Sequence, residues 1–297
     1  MTGSHRSGTT WVGQMIAKSP NVYYIDEPFN IAHDPGVFKL KIDKWFYYVP
    51  REANEPYYSA IFDMLCSKQY DLLRGLSSVR SFGEIRRVLK HASDSWQASL
   101  RHSRSLLKDP IAIFSAEWLA AKFPLDVIVM IRHPAAFVSS LKRFNWHHEF
   151  DHFLNQPRLM TDWLYPFEAD LRSSPQDIVD QGVLLWRIIY SAVDKYRRLH
   201  PDWMFVRHED LSGDPIGGFR NIFNHLQIKW TPEVAGIIAS FSRSDNPVQS
   251  TNPMLIERNS AAAAKAWKNL LSKEEIDRVR RGTEDIWPIF YSLDEWA

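Results

Sequence analysis

With 297 residues, 36 Lys plus Arg and 35 Asp plus Glu, the chain has a net charge of +1, so no global field advertises nucleic acid or an anionic surface and any anion site must be local. The length can bury a large core and fits a single soluble α/β domain over residues 1–297. Cys66 is the only cysteine, which excludes an internal disulfide framework and points to a reducing compartment, by default the cytoplasm, and no apolar run approaches the ~20 residues of a membrane span.

The first stretch, Gly3-Ser4-His5-Arg6-Ser7-Gly8-Thr9-Thr10-Trp11, runs straight into a helical pattern ending near Lys18. Gly3 and Gly8 have the spacing of a phosphate-cradling loop, in which backbone amides and a helix N-terminus surround an anion. The nucleotide triphosphatase form of that loop wants Lys after the second glycine, and Thr9 stands there instead. The positive charge is carried by Arg6, which suits a single anionic group better than a magnesium-bound triphosphate. Only Met1 and Thr2 precede Gly3, so the strand that should feed the cradle reads as truncated.

After Pro20, residues 21–25 form a short β-branched and aromatic run, a strand closed by Asp26-Glu27-Pro28. Residues 29–50 mix turn signals with aromatic runs such as Trp45-Phe46-Tyr47-Tyr48 and read as an irregular flap, a candidate acceptor wall. Residues 56–103 are helical in pattern, with breaks near Gly75 and Phe82-Gly83. A strand over 105–108 ends at Asp109-Pro110, and a helix covers 114–123. The continuously apolar run Val127-Ile128-Val129-Met130-Ile131 is what a parallel strand covered on both faces requires. It ends in Arg132-His133-Pro134, where Pro134 opens a helix to about Arg143. A long amphipathic helix over 181–199, a strand over 203–206, helices over 219–226 and 232–240, and a loop over 242–258 follow. Ser272 with Glu275 has capping-box spacing and starts a last helix running toward Ile286.

Alternating strands and helices predict a mostly parallel sheet with helices on both faces and ligands at the carboxyl ends of the strands. Glu27, Lys108 and Arg132 each stand at such an end. Ser140 lies eight residues after Arg132, so the two can converge on one anion beside the helix opened by Pro134. A cradle plus this pair makes two anion sites, which a nucleotide with separate 5′ and 3′ phosphates satisfies. A strand ending in Arg rather than a magnesium-holding Asp also argues against a P-loop kinase.

These residues resemble the sulfotransferases that use 3′-phosphoadenosine-5′-phosphosulfate (PAPS). Arg6-Ser7-Gly8-Thr9-Thr10-Trp11 is similar to that family's 5′-phosphosulfate loop, and Arg132 with Ser140 to its 3′-phosphate site. Leu107-Lys108-Asp109-Pro110 resembles a segment of the tyrosylprotein branch, Glu27-Pro28 one of the carbohydrate branch, and Trp267-Lys268-Asn269 the C-terminal loop of the cytosolic branch. The resemblance implies a P-loop sulfotransferase fold, PAPS as donor and 3′-phosphoadenosine-5′-phosphate as product, and no metal. It implies an acceptor with a free hydroxyl on a glycan, a tyrosine or a small alcohol. Sulfuryl transfer needs a base for the acceptor proton and positive charge on the transferring oxygens; by the resemblance Glu27 is that base and Lys108 supplies the charge. Trp267 and Lys268 join the donor-binding set.

The chain departs from the family pattern in two motifs. His208 stands before Glu209-Asp210-Leu211 where many members carry Tyr, and Arg258-Asn259-Ser260 replaces Arg-Lys-Gly, which leaves His208 and Arg258 as weaker donor contacts. Two other readings compete, a nucleotide-binding protein without catalysis and, from His148-Glu149-Phe150-Asp151-His152, a zinc hydrolase. The residues around the zinc pattern leave little room for the long helix that such a hydrolase uses.

Overall fold

The computed structural model describes residues 1–249, 252 and 255–297. Among these residues five short parallel strands form the frame. β1 (Thr2–Gly3), β4 (Ile128–Ile131) and β5 (Met204–Arg207) make one ladder, with Thr2 opposite Val129 and Ile128 opposite Met204. β2 (Val22–Asp26) and β3 (Arg104–Lys108) make the other, with Asp26 opposite Lys108. Met1 joins the two. Its nitrogen bonds the Leu107 carbonyl at 2.7 Å, and the Asp109 amide donates to the Met1 carbonyl at 2.9 Å. The strands therefore run in the order β2-β3-β1-β4-β5, and the strand expected to be truncated is present as a two-residue element inside the sheet.

The helices in chain order are α1 (Thr9–Ile16), α2 (Tyr57–Leu65), α3 (Leu72–Ser77), α4 (Phe82–Leu100), α5 (Ala116–Lys122), α6 (Pro134–Phe144), the short turns α7 (Asp151–Leu154) and α8 (Pro157–Leu159), α9 (Glu168–Ser173), α10 (Ile178–Leu199), α11 (His208–Gly213), α12 (Pro215–His225), α13 (Pro232–Phe241), α14 (Ser260–Lys265), α15 (Trp267–Leu270) and α16 (Lys273–Gly282). Caps set many of the starts. His133 accepts from the Ala135 amide before Pro134, Asp177 caps α10, and Ser272 with Glu275 forms the expected capping box. The break expected near Gly75 lies elsewhere, because Gly75 is inside α3 and the chain turns on either side of it. Of the loop expected over 242–258, residues 250, 251, 253 and 254 lie outside the described residues, and its other residues carry no helix or strand.

β4 shows why an unbroken apolar run was needed. Ile128 and Met130 point into a cluster with Trp11, Val12, Phe219 and Phe223 from α1 and α12. Val129 and Ile131 point into the opposite cluster with Phe137, Leu185, Ile189 and Tyr190 from α6 and α10. The flap departs from its expected role. Phe29, Phe38 and Phe46 are buried, and Phe46 packs edge-on to His5 and stacks on Phe153, so much of this aromatic segment is core rather than an acceptor wall.

α1 lies close against the strand ends. A Cβ on Gly13 would sit 2.8 Å from the Tyr24 ring and 3.1 Å from Cγ of Lys108. We therefore expect Gly13→Ala to destabilise the fold by about 1–3 kcal/mol through overpacking, against a helix-propensity gain of ~1 kcal/mol, measured as a lower urea midpoint at unchanged slope.

Candidate donor and catalytic site

The cradle is a turn with unusual backbone angles. Arg6 has φ 62 and Gly8, the N-cap of α1, has φ 90, both in the left-handed region. The Ser7 amide and hydroxyl both donate to the Ser4 carbonyl, at 3.2 and 2.5 Å, which closes the loop on itself. Gly8 is required on two counts, since a Cβ there would lie 2.5 Å from Cδ2 of His208 as well as forcing an L-residue to that φ. The first-turn amides of α1 have no acceptors within the helix and face the cavity above.

Tyr190 of α10 ties this turn to the end of β4. Its hydroxyl lies 3.0 Å from Oγ of Ser4 and accepts from the Arg132 amide at 2.7 Å, while Nε1 of Trp186 donates to the Arg132 carbonyl at 3.0 Å. Both peptide groups of Arg132 are thereby fixed, and its guanidinium is aimed by the backbone rather than by its own contacts. Among the described residues that guanidinium forms an ion pair with one carboxylate, Glu209, whose Oε1 is 3.5 Å from Nε, and the buried Nε has no hydrogen-bond partner. Burial pushes the Glu209 carboxyl up, although Arg132, the His133 amide and the Tyr291 hydroxyl pull it down.

The Arg6 guanidinium lies over the adjacent rings of Phe144 and Trp146, at 4.7 and 5.1 Å from their centroids, and its Nε donates to Oγ of Ser140 at 2.9 Å. This contact joins the two anion sites that the sequence placed apart. Burial, and then the charges of Arg132, Arg143 and Arg258, lower the Arg6 pKa to about 10. Four guanidinium groups therefore converge on one cavity of about 180 Å³. Every donor-binding candidate except Ser7 and Lys268 lines it, and Arg143, which the sequence reading missed, lines it as well. Arg143 follows Ser140 by one helical turn, so the i, i+3 spacing was the available signal.

Several candidates serve differently from what was expected. His208 is buried and its pKa is driven well below the ordinary value by burial and by Arg132, so it is a neutral ring wedged between Gly8 and Trp11 rather than a charged phosphate ligand. Trp267 is buried and stacked on His133 at 5.0 Å with planes 10° apart, leaving only part of its ring on the cavity. Lys268 points away, to the Ala297 carbonyl. Ser7 is buried beneath the cradle.

Glu27 and Lys108 meet at the ends of the neighbouring strands β2 and β3. Nζ of Lys108 lies 2.5 Å from Oε1 of Glu27 and also pairs with Asp26, while Nδ2 of Asn30 donates to Oε2 of Glu27 at 2.9 Å. The Lys108 side chain is 1% exposed and the Glu27 side chain 27%, so the carboxylate is the partner that reaches an incoming group. Burial alone would lower the Lys108 pKa, yet Glu27 and Asp26 outweigh it and raise it, keeping the ammonium charged. Glu27 also acts on Arg6 electrostatically, which places it on the cradle side. Asp109 was another missed residue. Its buried carboxylate accepts the amides of Phe29, Ile111 and Ala112 at 2.7, 2.9 and 3.2 Å and so fixes the turn that carries Glu27.

The zinc pattern does not assemble. Residues 148–150 precede the four-residue α7, Glu149 is exposed, and His148 is enclosed by Phe46, Phe150 and Phe153. No group of three or more metal-ligating side chains that could hold an ion occurs among the described residues.

The model of a family described as the sulfotransferase family matches residues 1–232. Carbohydrate sulfotransferase 2 of mouse and of human is 29% identical over 85 residues, 27% of this chain and 16% of either relative, so the matched part spans under a fifth of those proteins. Carbohydrate sulfotransferase 5 of mouse is 23% identical over 93% of this chain and 76% of its own length. Among solved structures, the sulfotransferase domain of the Synechococcus PCC 7002 olefin synthase is 15% identical with a TM-score of 0.48, covering 98% of this chain and 94% of that one. The sulfotransferase domain from the curacin biosynthetic pathway is 13% identical with a TM-score of 0.49, covering 98% and 96%.

The buried imidazoles make stability pH-dependent. Burial, before any neighbouring charge, lowers the pKa of His5, His133 and His148 from 6.5 to about 3, and that of His208 well below 6.5. Below pH 6.5 the unfolded chain binds protons there that the folded chain refuses, so stability falls as the pH falls toward 3. Asp109, raised by burial from 3.8 to about 7, and Glu209, also raised, hold protons in the folded state and oppose the trend, two groups against the four imidazoles and the Met1 ammonium, which burial lowers from 8.0 to about 5. We expect net acid destabilisation starting below about pH 6.5, and a shallower loss in His148→Phe, checked by urea unfolding over a pH series.

Proposed function

The chain belongs to the sulfotransferase family, and on that premise we propose that it transfers a sulfuryl group from PAPS to an acceptor hydroxyl through one domain spanning residues 1–297, in a reducing compartment, the cytoplasm. The observation that carries this reading is the convergence of Arg6, Arg132, Arg143 and Arg258 on a cavity where, among the described residues, Glu209 is the one acid paired with Arg132. Four clustered cations with an orphaned buried Nε on Arg132 are stabilised by bound anions, and a donor with separated 5′ and 3′ phosphate groups supplies two of them. The amides of the cradle and Arg6 fit the 5′ end, and Arg132, Ser140, Arg143 and Arg258 fit the 3′ phosphate. The neutral His208 supports the cradle from below, and the exposed part of the Trp267 ring offers an aromatic surface to the base.

PAPS, when bound, supplies the activated sulfuryl group, and this chain's residues supply the proton acceptor, the charge and the alignment. Glu27 takes the acceptor hydroxyl proton on the carboxylate that Asn30 and Lys108 orient. Lys108, kept protonated by Glu27 and Asp26, stabilises negative charge beside the cradle without needing to change protonation state. Asp109 acts as a positioning residue for the Glu27-Pro28-Phe29 turn. The acceptor is a hydroxyl on a glycan, a tyrosine or a small alcohol.

Calorimetric titration with 3′-phosphoadenosine-5′-phosphate tests the donor site. We expect Arg132→Ala to weaken binding by about 2 kcal/mol, roughly thirtyfold, as loss of a charged hydrogen-bonding group should; equal binding by the variant, or none by the wild type, sinks the two-anion reading. Glu27→Gln should keep nucleotide affinity and lower turnover roughly 10²–10⁴-fold, whereas unchanged turnover moves the base elsewhere.

A further inference from the structure

The outer face of α3 and α4 is unlike the rest of the surface. Along α4, Phe82, Leu89 and Trp96 recur every seven residues and Leu100 follows one turn later, with exposures of 89, 53, 66 and 61%. At 3.6 residues per turn these four project within a narrow arc along the length of the helix, about 28 Å for its 19 residues. The inner face, with Val88, Ser95 and Ala98, is the one packed on the protein. Leu72, Leu73 and Leu76 of α3, which packs on α4, extend the exposed apolar surface, with Leu73 81% exposed.

The charge of this face is equally distinctive. Between Leu72 and Arg101 the chain carries six Arg or Lys against two Asp or Glu, a surplus of four positive charges in a protein whose total is +1. Arg74 and Lys90 are engaged by Asp71 and Asp94, but Arg80, Arg86, Arg87 and Arg101 form no ion pair among the described residues. Arg86 and, one turn on, the Asp94-paired Lys90 flank the apolar stripe on one side, four and eight residues after Phe82, so the unpaired Arg86 carries the positive charge beside the row of large apolar side chains.

We propose that the α3–α4 face is a docking surface for an anionic lipid bilayer, on which the chain lies peripherally with α4 parallel to the membrane plane. An exposed helix with Phe, Leu and Trp on one stripe and Arg and Lys beside it has the chemistry of an interfacial helix: rings and aliphatic groups enter the headgroup region, and the long basic side chains reach the lipid phosphates. A second copy of this chain is disfavoured as the occupant, because a two-fold contact would set the same positively charged face on both sides of the interface. An acidic protein would complement the charge but would not call for apolar side chains along the whole helix. The surface is separate from the donor cavity, so the proposal stands apart from the transfer reaction. α3 and α4 hold the flap, through the Asp71 amide on the Gly36 carbonyl and His91 on Asp34, which leaves the flap beside the membrane.

Flotation of the whole chain with phosphatidylcholine vesicles containing roughly one-third phosphatidylserine, against pure phosphatidylcholine, tests this at low and at high salt. We expect flotation with the anionic vesicles only and its loss at high salt. Phe82→Ser/Leu89→Ser/Trp96→Ser and Arg86→Glu/Lys90→Glu should each lower partitioning roughly tenfold or more. Because these positions are exposed, circular dichroism and the melting temperature should be unchanged, and a surface charge swap elsewhere, Lys273→Glu, should float like the wild type. Absence of flotation by the wild type overturns the proposal. So does equal flotation by both variants, as does a wild type that ignores the vesicles yet binds polyglutamate or self-associates in sedimentation velocity through the same residues.

Discussion

The hydroxyl of Tyr190 is the point on which the site depends. It bonds Ser4 on one side and the Arg132 amide on the other, so one buried phenol sets the distance between the cradle after β1 and the guanidinium after β4. β1 is two residues long, and a ladder that short contributes little rigidity to the turn it feeds. Tyr190 supplies what the strand does not, because α10 buries it completely against Trp186 at a ring distance of 4.4 Å. Burial also raises its pKa, so the group stays a neutral phenol that can donate to one partner and accept from the other.

Held in that frame, the arginines can do what free ones could not. Arg6 is held over two aromatic rings and by Ser140, and Arg132 starts from a backbone clamped at both peptide groups, so the two guanidinium groups are kept close and repel each other. Ionisable groups at a functional site are commonly placed where the fold alone leaves them unsatisfied. Burial first, and then the neighbouring arginines, lower the Arg6 pKa against the pull of Glu27, while Glu209 beside Arg132 is itself buried and pushed toward its neutral form.

Much of this could be read from the residues. The Gly3 to Gly8 spacing, the apolar β4 run and Pro134 after Arg132 are local signals, and each gave its element within a few residues. The elements that bring the two anion sites together were not visible in that way. Tyr190 sits mid-helix among apolar neighbours and reads as core, which it is; only its partners, 186 and 58 residues away, give the hydroxyl its role. Glu209 and Asp109 were passed over because a carboxylate earns its role by which amides face it, a tertiary property. The flap misled for the opposite reason, since an aromatic run has the same composition whether Phe46 lines a binding wall or fills the space between His5 and Phe153.

The same reasoning sharpens the catalytic pair. Glu27 and Lys108 look at first like a closed ion pair, and a closed pair would be a poor base beside a poor electrophile. The burial difference resolves this. Lys108 lies under α1 with Asp26 as a second anionic partner, so it remains charged and in place when Glu27 turns toward a hydroxyl. Glu27, on a left-handed turn with φ 45 and anchored through its amide to the Lys108 carbonyl at 2.9 Å, has a fixed backbone and a side chain with an open side. Two anions thus share one buried cation, so Lys108 stays paired with Asp26 when the other carboxylate departs, and in the proposed reaction that carboxylate is Glu27, on the cradle side.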